Sequence, residues 1–132
     1  EPQRSRAVTN TPADVVSSFI ASIERRDAAA AVAHLASECE YDNVPIGKVH
    51  GRAAVLDILE PLLTSCSRVE WPVLRSATEG NLVFNERLDR FEMPHGWVEL
   101  QVAGVFEVAD GEIRLWRDYF DLATFQSQLS GS

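Results

Sequence analysis

Three short segments of the sequence place polar side chains at the spacing of residues that share one face of a β-strand. Tyr41 and Asn43 lie in the first, Arg87 and Asp89 in the second, and Asp118 in the third. Two carboxylates that are close together in an apolar site do not both ionise easily, and a neighbouring arginine keeps one of them charged. If the fold brings these segments together, they therefore predict one base, one acid and a permanent cation that orients both.

Large apolar residues share the same strand faces. Phe91 follows Asp89 by two positions, and Trp116 and Phe120 flank Asp118 at the same spacing. This mixture is typical of a pocket wall rather than of a solvated face, although the sequence alone does not separate pocket lining from plain core. We expect the substrate to contact Cys66, Trp71, Phe91, Leu100, Val102, Phe120 and Phe125.

Hydrophobic periodicity indicates the elements that would position these residues. Thr11 and Pro12 begin an amphipathic helix, Asp27 caps a second helix, and Gly51 precedes a third. The segment 39–44 is extended, and from residue 68 the apolar period changes to two. The resulting prediction is an α+β fold, with a curved, mixed, mostly antiparallel sheet that forms a cone and helices packed on one face. The period-two segments are 68–78, 81–93, 97–109 and 112–120, followed by a short amphipathic segment at 122–129.

The composition limits the class of partner. The chain has 132 residues, 45% of them hydrophobic, which suits a single domain over 11–132 after a flexible segment 1–10. The net charge of −8 argues against nucleic acid or an anionic membrane as a partner. There is no metal-ligand spacing and no implied cofactor, and the two cysteines are expected to be buried free thiols. Without a signal-like segment, a cytoplasmic location is expected.

The polar motifs resemble those of the limonene-1,2-epoxide hydrolase family. The resemblance is carried by Tyr-x-Asn at 41–43, Arg-x-Asp at 87–89 and the aspartate of Trp-Arg-Asp-Tyr-Phe-Asp at 116–121, and it covers nearly the whole chain. It implies the nuclear-transport-factor-2-like or SnoaL-like cone, a homodimer, and a hydrophobic cyclic or terpene-like epoxide as substrate. The implied product is a vicinal diol.

The resemblance also implies a role for each polar residue. Asp118 would take a proton from a water held by Tyr41 and Asn43, and this water would attack the epoxide without a covalent intermediate. Asp89, protonated, would donate to the departing oxygen, and Arg87 would lie between the two aspartates.

Other interpretations stay open at this level. Arg87 and Asp89 could form an ordinary strand ion pair, and Tyr41 and Asn43 could simply close a turn. The same cone could serve a ketosteroid-isomerase-like or SnoaL-like isomerase or cyclase, or a binding module that performs no chemistry. Arg87 favours the epoxide hydrolase, because a cation that joins two aspartates suits combined acid and base action.

Overall fold

The computed structural model describes residues 10–130, so the predicted flexible segment 1–10 falls almost wholly outside the described residues.

The first helix begins as predicted. The Thr11 side chain accepts a hydrogen bond from the Asp14 backbone N–H, and the Asp14 carboxylate accepts one from the Thr11 N–H. The helices are α1 (Pro12–Glu24), α2 (Ala28–Val32), α3 (Arg52–Thr64) and α4 (Leu122–Leu129). The strands are β1 (Leu35–Asn43), β2 (Gly47–His50), β3 (Arg68–Glu70), β4 (Val73–Glu79), β5 (Leu82–Met93), β6 (Gly96–Ala109) and β7 (Glu112–Tyr119).

All seven strands belong to one curved, unclosed sheet with the order β2-β1-β7-β6-β5-β3, and β4 also pairs with β5. Every pairing is antiparallel except that of β1 with β7, which is parallel. Helices α1, α3 and α4 pack against the concave face: α1 lies across β5, β6 and β7, α3 lies against β1 and β2, and α4 lies against β6. The short helix α2 packs against α1 and α3. The predicted α+β cone, with a mixed and mostly antiparallel sheet, is confirmed.

Two segments differ from their predicted form. The extended segment 68–78 is divided into β3 and β4, because Pro72 has no N–H to contribute to a ladder. The predicted extended segment 39–44 is part of a longer strand that starts at Leu35 and forms a hairpin with β2, which the periodicity did not indicate.

The core between sheet and helices is built around Trp116 on β7. Its indole ring stacks on Tyr41 of β1 at 3.8 Å between ring centroids and meets Phe19 of α1 edge-on at 4.8 Å. Phe106 of β6 lies parallel to it at 6.5 Å. These aromatic contacts fix β1 and β7, where Asn43 and Asp118 follow Tyr41 and Trp116 by two positions.

Both cysteines are buried free thiols, as predicted. No helix in the described part of the chain is long and apolar enough to cross a membrane.

Replacement of Phe106 by alanine should lower the free energy of unfolding by about 3–5 kcal/mol, because a fully buried ring is lost from a packed core. Urea denaturation followed by tryptophan fluorescence measures the change. Leu129→Ala, which shortens an exposed side chain on α4, should cost less than about 1 kcal/mol. Equal losses for the two variants would contradict this account of the core.

Candidate active site

The concave face carries one transverse row of residues that joins four strands. Asn85 on β5 is opposite Gly104 on β6, Gly104 is opposite Asp118 on β7, and Asp118 is opposite Asn43 on β1. Arg87 lies one step further along the same face of β5. The sheet thus brings the three predicted motifs together, although more than 40 residues separate the first from the second.

Arg87 is the centre of the polar cluster and is 0% exposed. Its Nε and Nη2 each donate to one oxygen of Asp89 at 2.9 Å, and Nη2 also donates to Asp118 Oδ2 at 2.9 Å. Nη1 donates to Asn85 Oδ1 at 3.0 Å. The ring of Trp71 covers the guanidinium, with Cζ 4.7 Å from the ring centroid. One cation therefore holds both carboxylates in fixed positions.

Burial controls the protonation of this cluster. It raises the pKa of Asp89 to about 6, although Arg87 acts in the opposite direction. Burial also raises the pKa of Tyr41, as does the charge of Asp118, so the phenol stays protonated. For Arg87, burial disfavours the charge, but the two carboxylates raise its pKa above the ordinary value. Up to about pH 6 the cluster therefore holds one proton, and burial favours its place on Asp89.

A cavity of about 220 Å³ opens in front of the cluster. Tyr41, Asn43, Asp89 and Asp118 reach its wall, whereas Arg87 lies behind them. Asp118 Oδ1 is buried and has no hydrogen-bond partner within residues 10–130. A buried carboxylate oxygen without a partner is costly, so this atom is suited to a water or ligand in the cavity.

Six of the seven predicted apolar contacts lie on the cavity wall: Trp71, Phe91, Leu100, Val102, Phe120 and Phe125. The prediction for Cys66 was wrong. Its side chain is buried just after α3, where the thiol donates to the Leu62 carbonyl oxygen at 3.2 Å, and it does not line the cavity.

Other residues of the site were missed. Ile46, Ile58, Leu59 and Leu62 also line the cavity, and they come from the turn between β1 and β2 and from α3. No signal within those segments distinguishes them from surface or core positions. Asn85, in contrast, precedes Arg87 by two residues, and the same alternation that predicted Arg87 and Asp89 could have found it.

A buried arginine shared by two carboxylates at the wall of an apolar cavity is an arrangement suited to an enzyme active site. The family described as the limonene-1,2-epoxide hydrolase catalytic domain matches residues 10–130. The chain is 32% identical over 107 residues to the epoxide hydrolase EphG of Mycobacterium tuberculosis, which covers 81% of this chain and 71% of that protein. The chain belongs to the limonene-1,2-epoxide hydrolase family.

Solved structures agree with this assignment. An M. tuberculosis LEH-like epoxide hydrolase superimposes with a TM-score of 0.76 and 28% identity, over 89% of this chain and 94% of the other. A putative polyketide cyclase from Xanthomonas campestris pv. campestris gives a TM-score of 0.79 at 22% identity, over 89% and 96% of the two chains. The second likeness shows the fold alone.

The raised pKa of Asp89 predicts an unusual dependence of stability on pH. Between about pH 4 and 6 the native protein holds a proton that the unfolded chain has released, so the free energy of unfolding should fall as pH rises through this window. The loss is at most about 3 kcal/mol for a shift of this size.

Urea denaturation at intervals from pH 4 to 7 gives the free energy of unfolding at each pH. The contribution of Asp89 is the difference in the slope against pH between the wild type and Asp89→Asn. Asp57→Asn, on the exposed side of α3, is the matched control and should keep the wild-type slope. A slope that is unchanged in Asp89→Asn would show that another group binds the proton.

Proposed function

We propose that this enzyme converts a hydrophobic epoxide to a vicinal diol by direct attack of water, with general acid and general base catalysis and no covalent intermediate. The observation that carries the proposal is the buried Arg87 bridge between two carboxylates of different character. Asp89 has a raised pKa, and Asp118 has an unpaired oxygen at the cavity.

The base side of the reaction belongs to Asp118. In its ionised form, Oδ1 accepts a proton from a water molecule that Tyr41 and Asn43 also hold by hydrogen bonds. Both of these side chains reach the cavity wall beside Asp118, and they interact with each other. Arg87 occupies Oδ2, so only Oδ1 of this carboxylate is free to act.

The acid side belongs to Asp89. As the water oxygen bonds to one epoxide carbon, the bond from that carbon to the ring oxygen breaks, and Asp89 protonates this oxygen as negative charge develops on it. The water proton ends on Asp118 and the Asp89 proton ends on the new hydroxyl. Transfer of one proton from Asp118 to Asp89, through the product or solvent, restores the starting state.

The cavity suggests the substrate class. Its wall is apolar apart from the four polar residues of the site, and its volume is below that of sites for drug-sized ligands. We infer a compact cyclic or terpene-like epoxide that binds through its hydrocarbon body and places its oxygen at Asp89. No metal or organic cofactor takes part in this scheme.

A SnoaL-like cyclase or a ketosteroid-isomerase-like enzyme shares this fold, but the Arg87 bridge argues against both. Those reactions abstract a proton beside a carbonyl and require a neutral donor at the developing oxyanion. A binding module would also gain nothing from three buried ionisable groups, which are costly to desolvate.

Hydrolysis of cyclohexene oxide and limonene-1,2-epoxide in ¹⁸O-labelled water, with enzyme in excess, tests the mechanism. The first diol should carry solvent oxygen, because no enzyme oxygen attacks. Asp118→Asn should lower kcat at least about 100-fold, since the base is lost. Asp57→Asn should keep the wild-type rate.

Unlabelled oxygen in the first diol would mean that an enzyme carboxylate attacks the epoxide. No diol from a broad panel of epoxides would favour the isomerase or binding interpretation instead.

The cytoplasmic location of the enzyme stays a prediction.

We further propose that the enzyme is a homodimer and that its two copies pair through the convex face of the sheet. Phe84 and Tyr119 are 40% and 46% exposed there, and a shallow groove between them is lined by small residues that include Ala77 and Ala103. Rings beside small residues allow a second copy to pack closely.

Light scattering coupled to size-exclusion chromatography should therefore give twice the chain mass for the wild type and a monomer for Phe84→Glu. Leu129→Glu, an exposed apolar position on α4, is the matched control and should remain dimeric. A monomeric wild type would refute the proposed dimer.

A further inference from the structure

The bridge between Arg87 and Asp118 joins two strands that are not neighbours. Arg87 is on β5, Asp118 is on β7, and β6 runs between them. Adjacent strands are about 4.8 Å apart, so the guanidinium must pass over the backbone of β6 to reach the second carboxylate. Whatever side chain β6 presents at the crossing point decides whether the bridge can form.

Gly104 occupies the crossing point. A Cβ atom at this residue would lie 2.4 Å from Arg87 Nη1, 2.8 Å from Asn85 Oδ1 and 3.0 Å from Asp118 Oδ1. All three distances are at or below the limit at which a neighbour must move. The guanidinium thus occupies the space that any other residue type would fill at position 104.

Space, rather than backbone conformation, accounts for this glycine. Gly47, Gly51, Gly80, Gly96 and Gly111 all have positive φ values, as expected for turns and caps, but Gly104 does not. It is an ordinary strand residue opposite Asn85 and Asp118. The adjacent positions on the same face of β6, Val102 and Phe106, carry buried side chains.

The guanidinium is held by contacts on its other sides. Asp89 binds it through two nitrogens, Asn85 binds the third, and the Trp71 ring covers it. Asp89 lies on the same strand as Arg87, so that pair can survive a small displacement. The atom nearest the added Cβ is Nη1, which donates to Asn85. An added methyl group would therefore push the guanidinium off its contact with Asn85 and off Asp118, which it reaches only across Gly104.

We propose that Gly104 is a positioning residue of the active site, whose missing side chain allows Arg87 to hold the base Asp118 across β6. This inference rests on the proposed function for the role of Asp118. Loss of the bridge would leave Asp118 without the cation that holds and orients it. Asp89, Tyr41 and Glu24 are the other ionisable groups that act on the cluster, and the substitution leaves all three in place.

The test compares Gly104→Ala with Val108→Ala. Val108 is also on the buried face of β6, but it lies four residues from Gly104, on the far side of Phe106. In Gly104→Ala, a crystal structure should show Arg87 Nη2 more than about 3.5 Å from Asp118 Oδ2, beyond hydrogen-bond distance. The acidic limb of the kcat/KM profile should move to higher pH, and kcat should fall at least about tenfold. Val108→Ala should keep both the bridge and the wild-type profile.

A Gly104→Ala protein that keeps the wild-type bridge and the wild-type kcat/KM profile would overturn the proposal. A broken bridge in an enzyme whose wild type hydrolyses no epoxide would support the role of Gly104 while it refutes the proposed function. If Gly104→Ala does not fold, circular dichroism of the double variant Arg87→Met, Gly104→Ala decides. Recovery of the fold supports a clash with the guanidinium, and failure to recover it overturns the proposal.

Discussion

Arg87 carries a full positive charge at a place that water does not reach. An isolated buried cation is strongly unfavourable, and only close carboxylates make it tolerable. Two carboxylates at 2.9 Å would leave the cluster with a net negative charge, and one bound proton makes it neutral. Packing three charges into a dry interior therefore favours a bound proton on one of the two carboxylates.

The topology of the sheet satisfies this requirement. Strand β5 supplies the arginine and one aspartate, β7 supplies the other aspartate, and β6 pairs with both. The parallel pairing of β1 with β7 sets Tyr41 and Asn43 beside Asp118. The Trp116 ring stacks on Tyr41, so the same contact that builds the core also orients one of the polar groups. Core packing and site geometry are not separable on these strands.

Sequence reasoning recovered what depends on local chemistry and alternation. The cap at Thr11, the shared faces of β5 and β7 and the free thiols all follow from residue types and spacing. The neighbour relation of β1 and β7 did not follow, because pairing between distant segments leaves no local periodicity. Cys66 was misplaced for a related reason, since an apolar residue beside a helix end can face the core or the cavity equally well. The break at Pro72 could have been predicted from the missing N–H alone.

The cavity wall is divided between two kinds of element. The polar groups stand on strands locked by ladders, whereas Ile46, Ile58 and Phe125 come from a turn and two helices, and α4 buries none of its residues fully. Mutations in the turn and helices can reshape the opening of the cavity without changing the protonation of the polar cluster on the strands. The scaffold thus places the residues that shape the opening on other elements than those that carry the polar cluster, so the opening can change while the cluster stays as it is.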